Sequence, residues 1–149
     1  MTATDRAREL AVAAAQAASD KLADDIVAYD VSDVFVITDA FVLASAASDR
    51  QVRAIVNGIE DELHKLGAKP VRREGQEQGR WVLLDYLDIV VHVQHAEERT
   101  YYSLERLWKD CPVIELPSTV TNGRNQPAPA PASAPEDPFE DEVPAPQEA

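Results

Sequence analysis

The stretch from Ser48 to Leu66 constrains this chain more than any other. Val52, Ile55, Val56, Ile59, Leu63 and Leu66 recur at the helical period and form one apolar stripe. Arg50, Arg53, Glu60, Asp61 and Lys65 cover the opposite side. Ser48 and Gln51 make an S-x-x-Q capping box, and Gly67 supplies a residue that closes a helix in the left-handed region. A helix wet on one side only must lay its stripe on a second layer. The runs on either side of it supply that layer.

Asp25 to Val31 (DIVAYDV) and Val34 to Ser45 (VFVITDAFVLAS) are rich in β-branched and aromatic residues, as strands are. The longer run reads as two pieces bent at Thr38-Asp39, or as a strand with an extended lead-in. Its apolar residues do not alternate cleanly, which predicts a strand covered on both faces. Lys69 to Glu74 carries Pro70 and two arginines, the composition of an edge strand. Trp81 to Tyr86 and Ile89 to Gln94 read as a hairpin about Leu87-Asp88, after a polar turn at Gly75 to Gly79. Two further helices complete the pattern. The first is capped by Thr4, with Asp5 in its first turn and a thin stripe of Leu10, Ala14, Ala17 and Leu22. The last runs from Ala96 to Trp108, with Tyr101, Leu104, Leu107 and Trp108 as its apolar face. Cys111 to Pro117 closes the body in an extended piece. One strand-helix-strand crossover among several hairpins predicts an α/β fold, a mixed sheet of about five strands flanked by helices.

Composition divides the chain at residue 117. Residues 118–149 hold seven of the ten prolines, six acids and one base, Arg124. Such a tail has too little large apolar surface to offset its chain entropy and is expected to be disordered. Residues 1–117 carry 13 Lys+Arg and 21 Asp+Glu, enough chain for one core. That acidic balance argues against holding nucleic acid through its phosphates, and favours a basic protein as partner. No stretch reads as a signal peptide or a membrane span, so the chain is expected in the cytoplasm.

Asp30, Asp33, Asp39, Asp85 and Asp88 sit where strands end, and no glycine-rich phosphate loop stands beside them. Turn chemistry is the simpler reading for them. His92 and His95, even with Glu97 or Glu98, lack the spacing of a reliable metal site. The lone Cys111 has Asp110 beside it, which raises a thiol pKa rather than activating the thiolate. No catalytic residue, metal or cofactor is assigned. The aromatics are more informative. Trp81, Tyr86, Tyr101, Tyr102 and Trp108 crowd into one stretch. Trp108 reads as core, but adjacent tyrosines on a helix lie about 100° apart and cannot both face inward. Exposed Trp and Tyr near Arg are the residues that dominate protein-protein contacts.

The runs DIVAYDV, VITDAFVLAS, SDRQV, GRWVLLDYLDIVVHV and EERTYYSLERLWKD stand in the order of a known family. From about Ala7 to Asp110 the chain resembles the ribosomal silencing factors, the RsfS or Iojap-like family. The resemblance implies a nucleotidyltransferase-like fold without that chemistry. It also implies a non-enzymatic repressor of translation, which binds protein fourteen of the large ribosomal subunit and keeps the small subunit from joining. A homodimer and a part in subunit biogenesis are implied for some relatives. Trp81 and Tyr102 match the family's partner-contacting aromatics, and Asp85, His92 and Arg99 lie in the same motifs. Two positions depart from the pattern. Ala46 and Leu87 stand where many members have glycine, so a turn using positive φ at either would have to relax. The competing readings are a nucleotide-handling enzyme using Asp39, Asp85 and Asp88, and a dimeric adaptor whose acidic tail recruits another protein.

Overall fold

The computed structural model describes residues 2–121. In chain order the elements are α1 (Asp5–Asp20), β1 (Asp24–Asp30), β2 (Ala40–Ala46), α2 (Asp49–Lys65), β3 (Arg72–Glu74), β4 (Trp81–Asp85), β5 (Ile89–His95) and α3 (Ala96–Tyr102), followed by a single 3-10 turn at Leu104–Arg106. The five strands form one mixed sheet in the order β1-β2-β5-β4-β3. Only β2 and β5 run parallel; the other neighbours are antiparallel. The chain leaves β2 through α2, makes β3 and β4 at the far edge, and returns to insert β5 beside β2.

Sequence reasons for these elements are visible in the caps. Ser48 Oγ accepts the Gln51 N–H at 3.1 Å, but Gln51 does not reach back to close the expected box. Its amide donates instead to the carbonyls of Lys21 and Leu22, joining the start of α2 to the end of α1. Thr4 caps α1 by accepting from Ala7 N–H. Leu22, assigned to the α1 stripe, lies beyond the helix at φ 65° and is exposed, because the chain must reverse there to enter β1. The alanines that carry little area (Ala7, Ala11, Ala14, Ala15, Ala18) are fully buried. They let α1 pack against α2 and the sheet together.

The two faces of the sheet differ. On one, Val42, Val82, Leu84, Ile89, Val91 and Val93 meet the α2 stripe of Val52, Ile55, Ile59 and Leu63, with α1 alongside. On the other, Val27, Tyr29, Val31, Phe41 and Leu43 are covered by Trp108 and its neighbours Leu104 and Cys111. All seven β2 residues are buried, which accounts for their broken alternation. The strand begins only at Ala40; Val34 to Asp39 is its irregular lead-in, with Val36 and Ile37 in solvent.

Three other expectations need correction. The last helix stops at Tyr102, because Ser103 turns into the left-handed region at φ 48°. Tyr101 and Leu107 are therefore exposed, and of that predicted apolar face only Trp108 is buried. The hairpin at Leu87 does not relax: Leu87 keeps φ 71° and points into solvent. The packed body also runs past residue 117. Val120 is buried, Thr121 N–H donates to Ser19 Oγ at 2.8 Å, and Thr119 Oγ1 donates to Gln16 Oε1 at 2.6 Å. The rest of the tail lies outside the described residues. Among those residues no helix is long and apolar enough to cross a membrane.

Candidate docking face

Period-two alternation puts Trp81, Leu83 and Asp85 of β4 on the sheet face opposite α2. Their cross-strand partners Gln94, His92 and Val90 share it. Trp108 covers the β1 and β2 half of this face; Trp81, Leu83, Asp85 and Val90 on the other half remain partly exposed. Trp81 also stands past the reach of β3, which pairs only with Leu83, Leu84 and Asp85. The turn from β3 folds back over it instead. A Cβ on Gly75 would lie 1.9 Å from the Trp81 carbonyl oxygen, so no other residue fits there.

The aromatic rings form a chain from core to surface. Phe41 and Trp108 lie 4.4 Å apart between ring centroids, and His92 packs edge-on to Phe41 at 5.6 Å. Trp81 donates its indole N–H to His92 Nδ1 at 3.1 Å. Tyr102 lies against Trp81 at 4.8 Å and Tyr101 against Tyr102 at 5.0 Å. Tyr102 is 50% exposed and Tyr101 82%, so both tyrosines face outward, where their adjacency required it of at least one. Arg80, next to Trp81, holds Glu97 and Glu98 at 2.7 and 2.8 Å and fastens the start of α3 beside the indole.

The five residues singled out in the sequence separate into three settings. Trp81 and Tyr102 meet at the surface. His92 and Arg99 lie behind them and are buried. Burial, with the charge of Arg99, lowers the His92 pKa to about 4, leaving a neutral ring that can accept from Trp81. Arg99 grips Glu105 with two bonds of 3.1 and 3.0 Å and donates to the Asp25 carbonyl at 2.7 Å. Asp85 stands at the far end of β4, roughly 13 Å along the strand. There it accepts the Leu87 N–H at 2.9 Å. Leu83 and Val90 share the open face and were not singled out; their alternation with buried Val82, Leu84 and Val91 was the signal.

The other candidates are engaged in structural contacts, two of which tie the start of α1 to Asp30 and Asp39 rather than making turns. Asp30 accepts from Ser32 N–H, Ser32 Oγ and Ala3 N–H, and Asp39 accepts from Thr4 N–H. Burial alone would raise the Asp30 pKa, but those hydrogen bonds and Arg8 take it below the usual value. His95, Glu97 and Glu98 lie close enough to share an ion, but Arg80 already neutralises both carboxylates, and His92 is not among them. Burial first, then Asp110, Asp30 and Asp33, raises the Cys111 thiol pKa, the reverse of an activated nucleophile.

The pattern described as "Ribosomal silencing factor during starvation" matches residues 4–142. The chain belongs to the ribosomal silencing factor family. Ribosomal silencing factor RsfS of Bacillus subtilis is 44% identical over 103 residues, covering 69% of this chain and 87% of that protein. The RsfS of Halalkalibacterium halodurans is 40% identical over 114 residues, covering 76% and 97%. A crystal structure of a Chromobacterium violaceum protein superposes with a TM-score of 0.66 at 37% identity, covering 68% of this chain and 84% of that one. The mixed five-stranded sheet is thus the fold of an RsfS-type protein, and its relatives carry the name of a regulator.

Proposed function

We propose that this RsfS-type chain binds the large ribosomal subunit through protein fourteen, by the face that carries Trp81 and Tyr102, and blocks small-subunit joining by occupying the joining surface. The observation that carries the reading is the Trp81–Tyr102 pair. Two large aromatic rings meet at 4.8 Å in a tilted pair, Trp81 on the uncovered half of a sheet face and Tyr102 at the end of α3, where the fold gives them no further covering element among the described residues. Aromatic anchors beside arginine are what hot spots are built from. The acidic charge of the chain supports a basic ribosomal protein, rather than RNA phosphates, as the surface contacted. Occlusion needs no bond made or broken, and of the carboxylates that an enzyme reading would recruit, Asp39 accepts the Thr4 N–H at the start of α1 and Asp85 accepts the Leu87 N–H in the hairpin turn.

The test is sedimentation of the chain with purified large subunits, followed by addition of small subunits. Binding to the large subunit and fewer joined ribosomes are expected. Trp81→Ala and Tyr102→Ala should each weaken binding by about 2 kcal/mol, as truncated hot-spot aromatics do, while melting as the parent does. Parental binding by both variants would refute the docking face. Full ribosome joining in the presence of bound chain would refute occlusion.

A further inference from the structure

His92 is 7% exposed, so a partner lying on the sheet cannot grip it directly. What it does grip is Trp81. Its Nδ1 takes the indole N–H at 3.1 Å, while Phe41 and Trp108 hold the imidazole from the core side at 5.6 and 5.8 Å. The core fixes the imidazole, and the imidazole fixes the indole. We infer that His92 is a positioning residue for docking, holding the Trp81 indole in the one orientation that sets it beside Tyr102. The inference rests on the docking reading above.

Three observations carry it. Trp81 opens β4 beyond the last β3 pair, so its one cross-strand neighbour is Gln94 of β5 and no β3 side chain sets its ring. An indole has a single polar atom, and a half-turn about its second side-chain torsion carries that N–H away from His92. The hydrogen bond therefore selects one ring orientation out of two. The ring is neutral at neutral pH and so has one nitrogen free to accept; with the indole N–H directed at Nδ1, that nitrogen is Nδ1 and the ring's own N–H sits on Nε2. A partner then meets an aromatic surface that is already set, and need not immobilise it on binding.

The experiment pairs two substitutions in the full chain. His92→Phe keeps a ring in the core but offers no acceptor. His92→Asn places an amide oxygen the same number of bonds from the backbone as Nδ1. Binding is read by sedimentation with purified large subunits. The bond is read by the 1H–15N signal of the Trp81 indole, identified by its loss in Trp81→Phe. His92→Phe should shift that signal and weaken binding by about tenfold, the cost of leaving a side chain to be ordered on contact. His92→Asn should recover affinity to within about threefold of the parent, since an amide carbonyl accepts as Nδ1 does. The double variant Trp81→Phe/His92→Phe should bind no more weakly than the weaker single one. Parental affinity for His92→Phe, or losses that simply add, would overturn the inference even while Trp81→Ala still shows its weakened binding. If Trp81→Ala and Tyr102→Ala bind like the parent, the docking reading itself has failed, whatever the indole signal does. Should His92→Phe not fold, Trp81→Phe decides, because it removes the N–H and leaves the core ring in place. A loss near tenfold sustains the inference, and parental affinity overturns it.

Discussion

Replacing Arg99 by Met should cost this fold about 3 kcal/mol without removing a contact to the ribosome. The guanidinium makes a two-point bond to Glu105 and a third bond, of 2.7 Å, to the carbonyl of Asp25. It thereby ties α3 and the 3-10 turn after it to the start of β1. Removing one partner of a buried ion pair costs about 3–5 kcal/mol, because the surviving charge stays in a poorly hydrated place. The Glu105 side chain keeps 18% exposure, so water relieves part of that penalty and the lower end of the range applies. For a body of this size, such a loss lowers the melting temperature by roughly 10 °C. Urea and thermal melts measure it. Arg99→Met/Glu105→Leu should recover most of the loss, since the stranded carboxylate goes with its partner. A melting temperature within about 2 °C of the parent would refute the argument. So would a double variant whose loss equals the sum of the two single ones. At a temperature where Arg99→Met is fully folded it should still sediment with large subunits. Failure there would make Arg99 a contact after all.

Three further outcomes are expected. Because the folded-state pKa of His92 is about 4 against 6.5 unfolded, the unfolded chain takes up a proton first as pH falls. Stability should therefore drop by about 3 kcal/mol between pH 6.5 and 4, beyond which the depressed Asp30 pKa removes more as its carboxylate is protonated. Urea midpoints at pH 7, 5.5 and 4 read the slope, which His92→Asn should flatten. Leu87→Gly should raise stability by about 0.5 kcal/mol, since it relieves a left-handed backbone at an exposed side chain and loses part of the gain to unfolded-state entropy; a lower urea midpoint would contradict this. A chain ending at Thr121 should melt as the full chain does. One ending at Pro117 should lose about 2 kcal/mol with Val120 and its flanking hydrogen bonds, as calorimetry would record.

What could be read in the sequence was whatever depends on period. The α2 stripe, the hairpin strands and the mixed sheet follow from spacings of 3.6 and 2, which the backbone enforces locally. The end of the last helix did not follow. Nothing in Tyr101-Tyr102-Ser103-Leu104 marks a stop, and Ser103 turns left-handed where the Arg99–Glu105 bond and the buried Trp108 ring fix the chain after it. Leu22 and the boundary at 117 failed similarly, because each depends on what lies across from it: the entry to β1 in one case, the Ser19 hydroxyl in the other. In the candidate site, outward-facing Trp and Tyr were legible from residue type and adjacency, and the pairing of Trp81 with Tyr102 from the resemblance. The burial of His92 and Arg99 behind them was not, since a polar side chain in a motif looks the same whether it lies at the surface or holds up its neighbour.

The strand order also sets a timetable. β5, the last strand among the described residues, lies third in the sheet, between β2 and β4, and its pairing with β2 joins residues as far apart as Ala40 and Ile89. During synthesis β2 emerges with one side open and waits for all of α2, β3 and β4 before its neighbour arrives. Closing so long a loop is entropically costly and slow. Until then its apolar edge is a template for any other extended chain. A nascent chain cut short before His95 is thus left with its most buried strand uncovered, and that is the moment at which this protein has most need of a chaperone.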